Sequence, residues 1–162
     1  MKARMNYAKA APGVMRAMSA LDTYLAECGL EPALREMVKL RASQINGCAY
    51  CVDMHSLDAR ALGETEQRLY LLDAWRETPL YTERERAALE WTEAVTRVAD
   101  GHVPDEVFAS VRAHFSEEEL VNLTIAVIAT NSFNRLNIAF RPKVGDYRPG
   151  MFDQPNKAHA AD

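Results

Sequence analysis

Apolar side chains recur three and four positions apart along most of the chain, and runs of strict alternation closed by hairpin turns are missing. A period near 3.6 without a period of two predicts helices and no sheet, so the expected fold class is all-α, a bundle of about six to eight helices. The first is marked by Val14, Met15, Met18, Leu21, Tyr24 and Leu25; it opens after Pro12-Gly13 and closes at Gly29. A second starts near Pro32 and carries Leu34, Met37, Val38, Leu40, Arg41 and Ile45 before Asn46-Gly47 breaks it. A third runs from about Cys48 to Leu62 and stops at Gly63, and Thr65 caps a fourth through Leu69, Leu72 and Trp75, ended by Pro79. Capping boxes at Thr82/Glu85 and Ser116/Glu119 announce two longer helices, with Pro104 opening a shorter one between them around Val107, Phe108 and Val111. Pro142 stops the last helix after Arg141. The sequence then turns polar, so the expectation is a single domain with its core over about 12–142 and an extended tail over 143–162.

Composition narrows the function classes. At 162 residues, 48% hydrophobic and 26% charged, the chain is long enough to bury one core without covalent staples. A net charge of −4 with both signs interspersed offers no basic field for phosphates or anionic lipid, so neither nucleic acid nor a membrane is expected as a partner. The longest apolar run, around Leu123 to Ala129, falls far short of the roughly 20 residues that span a bilayer. The first residues carry Lys2, Arg4 and Lys9 with no apolar stretch behind them, which does not read as a secretory signal; a cytoplasmic location is expected.

Three cysteines in such a chain point away from a disulfide framework and toward reactive or metal-bound thiols. Cys48, Cys51 and His55 fall within an arc of roughly 60° on one helix face, at about 100° per residue. Cys48, at the helix start, faces unpaired backbone N–H groups that favour a thiolate. Cys51 has His55 at i+4 to accept its proton. Two thiols so placed can close into a disulfide, which makes a two-electron redox cycle available. Two other readings stand beside this one. The same three side chains could supply zinc ligands with a fourth from elsewhere. Alternatively, Cys51 could be a small buried apolar residue and His55 a satisfied surface group. Glu36 completes the candidate set: if the second and third helices pair antiparallel about Asn46-Gly47, its carboxylate folds back toward His55. Otherwise it pairs with Arg35, Lys39 or Arg41 on the surface.

Glu36, Cys48-Ala49-Tyr50-Cys51 and His55, in this spacing, resemble the signature of the alkylhydroperoxidase D (AhpD)-like proteins of the carboxymuconolactone decarboxylase superfamily. Leu40 to Gly47, the stretch Thr130 to Leu136, and Phe140 add to the resemblance, which covers roughly Pro32 to Phe140. It implies an all-helical fold assembled into homo-oligomers, hexamers or trimers, and peroxidase activity without metal, haem or other cofactor. Carried over, it makes Cys51 the thiolate that attacks the peroxide and Cys48 the resolving thiol, with a redox-active disulfide between them. His55 and Glu36 become the proton relay. Helix-end electrostatics alone favours Cys48 as the more acidic thiol, so the two arguments point to different sulfurs. The sequence departs from the peroxidase pattern at Tyr50, where that group carries a second histidine; a tyrosine donates a hydrogen bond but is a poor base near neutral pH.

The implied reductant is a lipoyl-type or thioredoxin-like dithiol. The alternatives are a redox-responsive interaction protein or a general disulfide reductase using the same pair, and, further off, a lactone enzyme of the decarboxylase kind. Asn134 and Arg135 form a polar pair in an otherwise apolar last helix and read as a hydrogen-bond anchor between helices or subunits. Cys28 reads as a bystander, Trp75 and Trp91 as core or interface aromatics, and His102, His114 and His159 receive no role.

Overall fold

A computed structural model of the chain describes residues 2–152. Its elements are helices throughout: α1 (Tyr7–Ala10), α2 (Pro12–Glu27), α3 (Pro32–Asn46), α4 (Ala49–Ala61), α5 (Glu66–Leu71), a 3₁₀ segment (Leu72–Glu77), α6 (Glu83–Thr96), α7 (Val98–Gly101), α8 (Asp105–Arg112) and α9 (Glu117–Phe140). No strand occurs among the described residues. The punctuation that predicted the helices is what bounds them. Pro12 and Pro32 occupy first turns, and both capping boxes form in full, Thr82 with Glu85 and Ser116 with Glu119.

α3 is the centre of the bundle and packs against α4, α6 and α9. It buries Leu34, Met37, Val38 and Leu40 on one side but also Glu36, Arg41 and Ser43, because it has neighbours on more than one face. Those apolar residues join Leu72, Trp75, Leu89, Trp91, Val111, Leu123 and Val127 in one core. Both tryptophans lie in it, each with its N–H satisfied: Trp75 donates to Glu93 and Trp91 to Thr124.

α9 is apolar nearly all round and is registered by amides. Asn134, fully buried, donates to Ser43 Oγ at 3.1 Å and accepts from Asn46 Nδ2 at 2.8 Å, tying α9 to the C-terminal end of α3. Asn122 does the same for α2, accepting from Tyr24 at 2.8 Å and donating to the Cys28 carbonyl. The anchor expected at Asn134 is therefore present, whereas Arg135 is exposed and bonds back to Asn131 within its own helix.

The structure differs from the pattern reading in three places. The fourth helix is α only as far as Leu71 and then tightens into a 3₁₀ turn with a kink at Ala74. Two four-residue helices, α1 and α7, are too short to show a period. Beyond Arg141, which ends α9 in a left-handed conformation, residues 143–152 carry no helix but are tied to α4: the Gly145 N–H donates to Asp53 and the Tyr147 hydroxyl to Asp58. The rest of the expected tail, including His159, lies outside the described residues.

Candidate active site

The turn between α3 and α4 brings the candidate residues together. Gly47 adopts φ +67°, a left-handed conformation that costs most residues a Cβ clash, and the chain reverses there with Cys48 N–H donating to the Ser43 carbonyl at 3.0 Å. Cys48 then caps α4. Its Sγ accepts the N–H of Cys51 at 3.4 Å, one of the donors that the first turn of a helix leaves without a partner. Cys48 and Cys51 form a disulfide with Cα atoms 5.3 Å apart, and both residues are only 1% exposed. Cys28 stays outside the pair as a free thiol.

One turn along α4, His55 meets Glu36 across the helix interface. Its Nδ1 lies 2.8 Å from Glu36 Oε2, and Glu36 Oε1 accepts from Lys39 Nζ at 3.0 Å. Of the surface partners considered for Glu36, only Lys39 is used; Arg35 turns to the Leu25 carbonyl and Arg41 to Glu93. Burial alone would raise the Glu36 pKa, but the hydrogen bond and charge of His55, together with Lys39, outweigh it and hold the carboxyl at about 2. An ionised carboxylate can only accept, so Nδ1 carries the proton that joins the two. That tautomer leaves Nε2 to exchange a proton with other groups. Tyr50 is half-buried, and burial reinforced by the charge of Asp53 raises its pKa, which keeps the phenol protonated as a donor.

Three side chains close to this constellation carried no signal in the sequence. Asn137 on α9 donates from Nδ2 to Cys51 Sγ at 3.3 Å, and its Oδ1 accepts from the Tyr7 hydroxyl at 2.8 Å. Asp22 on α2 has its pKa raised by burial, against the lowering influence of Lys39 and His55. No local motif could have revealed them, since the helices that carry them lie far from Cys48 and Cys51 in sequence.

Among the described residues, the group of metal-ligating type whose ligand atoms converge is Glu36, His55 and Asp58, all within 4.8 Å of one another. Lys39 already occupies Glu36 and Tyr147 occupies Asp58. In the alternative zinc set, the two sulfurs are bonded to each other and His55 Nδ1 faces Glu36. The arrangement can therefore cycle two electrons between a dithiol and a disulfide, beside an imidazole held by a buried carboxylate.

Comparison with known proteins places this geometry. Residues 12–94 match the profile described as the carboxymuconolactone decarboxylase family. The uncharacterized protein YdfG of Bacillus subtilis is 44% identical over 139 residues, covering 86% of this chain and 95% of its own. The crystal structure of an Agrobacterium tumefaciens protein of unknown function, described as a candidate antioxidant defence protein AhpD, is 48% identical with a TM-score of 0.87; the match covers 90% of this chain and all of that one. The AhpD core of a peroxidase-related protein from Ralstonia eutropha shares the fold, with a TM-score of 0.76 at 22% identity over 86% of this chain and 75% of that one. The chain belongs to the carboxymuconolactone decarboxylase family, as an AhpD-like member.

Proposed function

We propose that the protein reduces peroxides with the Cys48/Cys51 pair. The observation that carries the reading is the closed disulfide at the start of α4, one turn from a buried His55–Glu36 pair. Family membership and the antioxidant-defence relative support a peroxidase-related role. Cys51, as thiolate, attacks one peroxide oxygen; the O–O bond breaks, the sulfur becomes a sulfenic acid, and the alkoxide leaves as alcohol with a proton supplied through His55. The Cys48 thiol then displaces water from the sulfenic acid and closes the disulfide. A lipoyl-type or thioredoxin-like dithiol returns two electrons and two protons and is itself oxidised to a disulfide. Glu36 orients the imidazole through the Nδ1–Oε2 hydrogen bond. Tyr50, a protonated phenol, contributes a hydrogen bond where the peroxidase pattern has a second base.

A homo-oligomer belongs to the same proposal, as does a cytoplasmic location. α9 leaves Val121, Ile128 and Ile138 exposed, an apolar face of the kind that a second copy covers. No described helix is long and apolar enough to cross a membrane.

The test is anaerobic titration of the reduced protein with hydrogen peroxide and an organic hydroperoxide, with free thiols counted by residue. The expected result is loss of two thiols per peroxide, Cys48 and Cys51. The Cys48→Ser variant should stop at a sulfenic acid on Cys51, and the Cys51→Ser variant should not consume peroxide. Peroxide reduction that survives in Cys51→Ser would end the proposal.

A further inference from the structure

Each sulfur of the disulfide receives one hydrogen bond, and the donors differ in kind. Cys48 Sγ has the backbone N–H of Cys51, the usual gift of a helix start. Cys51 Sγ has a side-chain donor from another helix, the Asn137 amide at 3.3 Å. This asymmetry bears on the question that helix-end electrostatics left open, because α4 alone favours Cys48 as the thiolate.

We propose that Asn137 is the group that makes Cys51 the reactive thiolate, and that Tyr7 is the positioning residue that keeps its amide in the required orientation. The inference rests on the thiol chemistry proposed above and adds to it the residues that choose the sulfur. An amide N–H aimed at a sulfur gains little from a thiol or disulfide, but becomes a charge-assisted bond once that sulfur is an anion, so it lowers the thiol's pKa. Asn137 is 5% exposed, so water competes little for that donor.

Orientation decides the sign. Rotated by half a turn, the same side chain would put its carbonyl oxygen on the sulfur and repel a thiolate. Tyr7 selects the favourable orientation because its hydroxyl donates to Asn137 Oδ1 at 2.8 Å. Burial, with the charge of Tyr50 adding to it, raises the Tyr7 pKa, so this phenol keeps its proton. The helix that carries Tyr7 is itself fastened to the end of α9: the Arg4 N–H and guanidinium donate to the carbonyls of Phe140 and Ala139, and the Tyr7 and Phe140 rings lie 5.6 Å apart. The first helix, although only four residues long, thus sets the rotamer of a side chain that touches the reacting atom.

The test measures the rate of iodoacetamide alkylation of each cysteine across pH in the fully reduced full-length protein, resolved by peptide mass spectrometry. Accessibility scales the plateau of such a profile, whereas ionisation sets its midpoint, so burial of the sulfurs does not obscure the result. Other charges around the pair are Glu36, Lys39 and His55, with Asp22 and Asp58 coupled to them. The phenols are Tyr7 and Tyr50. Asn137→Ala leaves all of these in place. The expected result is a Cys51 midpoint about one pH unit higher in Asn137→Ala, a tenfold slower reaction below both midpoints, with the Cys48 midpoint unmoved or lowered, because its neighbouring sulfur is then less often an anion. Asn137→Asp should shift it further, because a carboxylate repels the thiolate. Tyr7→Phe, which removes one oxygen and is the gentler variant if Asn137→Ala fails to fold, should shift it in the same direction by less. An unchanged Cys51 midpoint in folded Tyr7→Phe and Asn137→Asp would overturn the inference. Peroxide does not enter this measurement: a shifted midpoint in a protein whose thiols ignore peroxides would refute the proposed function and leave the assignment of Asn137 standing.

Discussion

Glu36 and Glu93 face into the same bundle with equal exposure, 7% each, yet they are held by different kinds of partner. Glu93 on α6 accepts from Arg41 at 2.8 Å, Trp75 at 2.9 Å and Arg76 at 2.6 Å. Burial would raise its pKa, but these donors and the Arg41 charge lower it instead. None of those donors gives up its proton in ordinary solution, so Glu93 is fixed as an anion joining α3, the 3₁₀ segment and α6. Glu36 is bound to an imidazole, the one side chain whose ordinary titration falls near neutrality. Burial alone therefore does not distinguish the two carboxylates; the chemistry of the partner does.

The largest effect that would sharpen this contrast is on stability. Replacing Glu93 with leucine leaves the buried Trp75 N–H without its acceptor and takes from Arg41 its buried carboxylate, with Asp73 and Gln44 its remaining partners; it should cost about 3 kcal/mol, read as a large drop in denaturant midpoint. Thiol reactivity should follow the folded fraction and nothing else. Glu36→Gln should do the reverse. It keeps the shape but removes the carboxylate that holds His55 Nδ1, so peroxide-dependent thiol loss should slow by about 10²-fold while the protein still folds.

The same variant has a pH signature. The Glu36 carboxyl is depressed from 4.5 to about 2 in the folded state, so its stabilising contribution is fully present above 4.5. The difference in unfolding free energy between wild type and Glu36→Gln should shrink as pH falls from 4.5 toward 2. A constant difference across that window would break the comparison. The smallest effect belongs to a third carboxylate, Asp58, which neighbours the His55 pair and accepts from Tyr147 at 2.8 Å. Tyr147→Phe should cost about 1 kcal/mol and leave the peroxide reaction unaltered.

Much of this arrangement was legible in the sequence because it is local. Pro32, Gly47 and the capping boxes act within one helical turn of themselves, and Cys48, Cys51 and His55 share a face by spacing alone. Glu36 was reachable because a single tight turn, Asn46-Gly47, forces its helix back along α4. What escaped is what depends on distant chain. Tyr7 and Asn137 are 130 residues apart and meet only because the N-terminal segment lies along the end of α9. Arg41 read as a surface partner for Glu36, since sequence spacing cannot show that its guanidinium crosses to a glutamate 52 residues later. Arg135 read as half of a buried pair with Asn134, yet adjacent positions on a helix point about 100° apart, and only Asn134 turns inward.

The bond between Cys48 and Cys51 closes a ring across a sequence separation of only three. The entropy that a cross-link removes from an unfolded chain grows with the logarithm of ring size, so this one lies at the low end of what such bonds contribute. Redox state and foldedness are for that reason only weakly linked in this molecule. Opening or closing this one bond should therefore leave the stability of the helical frame nearly unchanged.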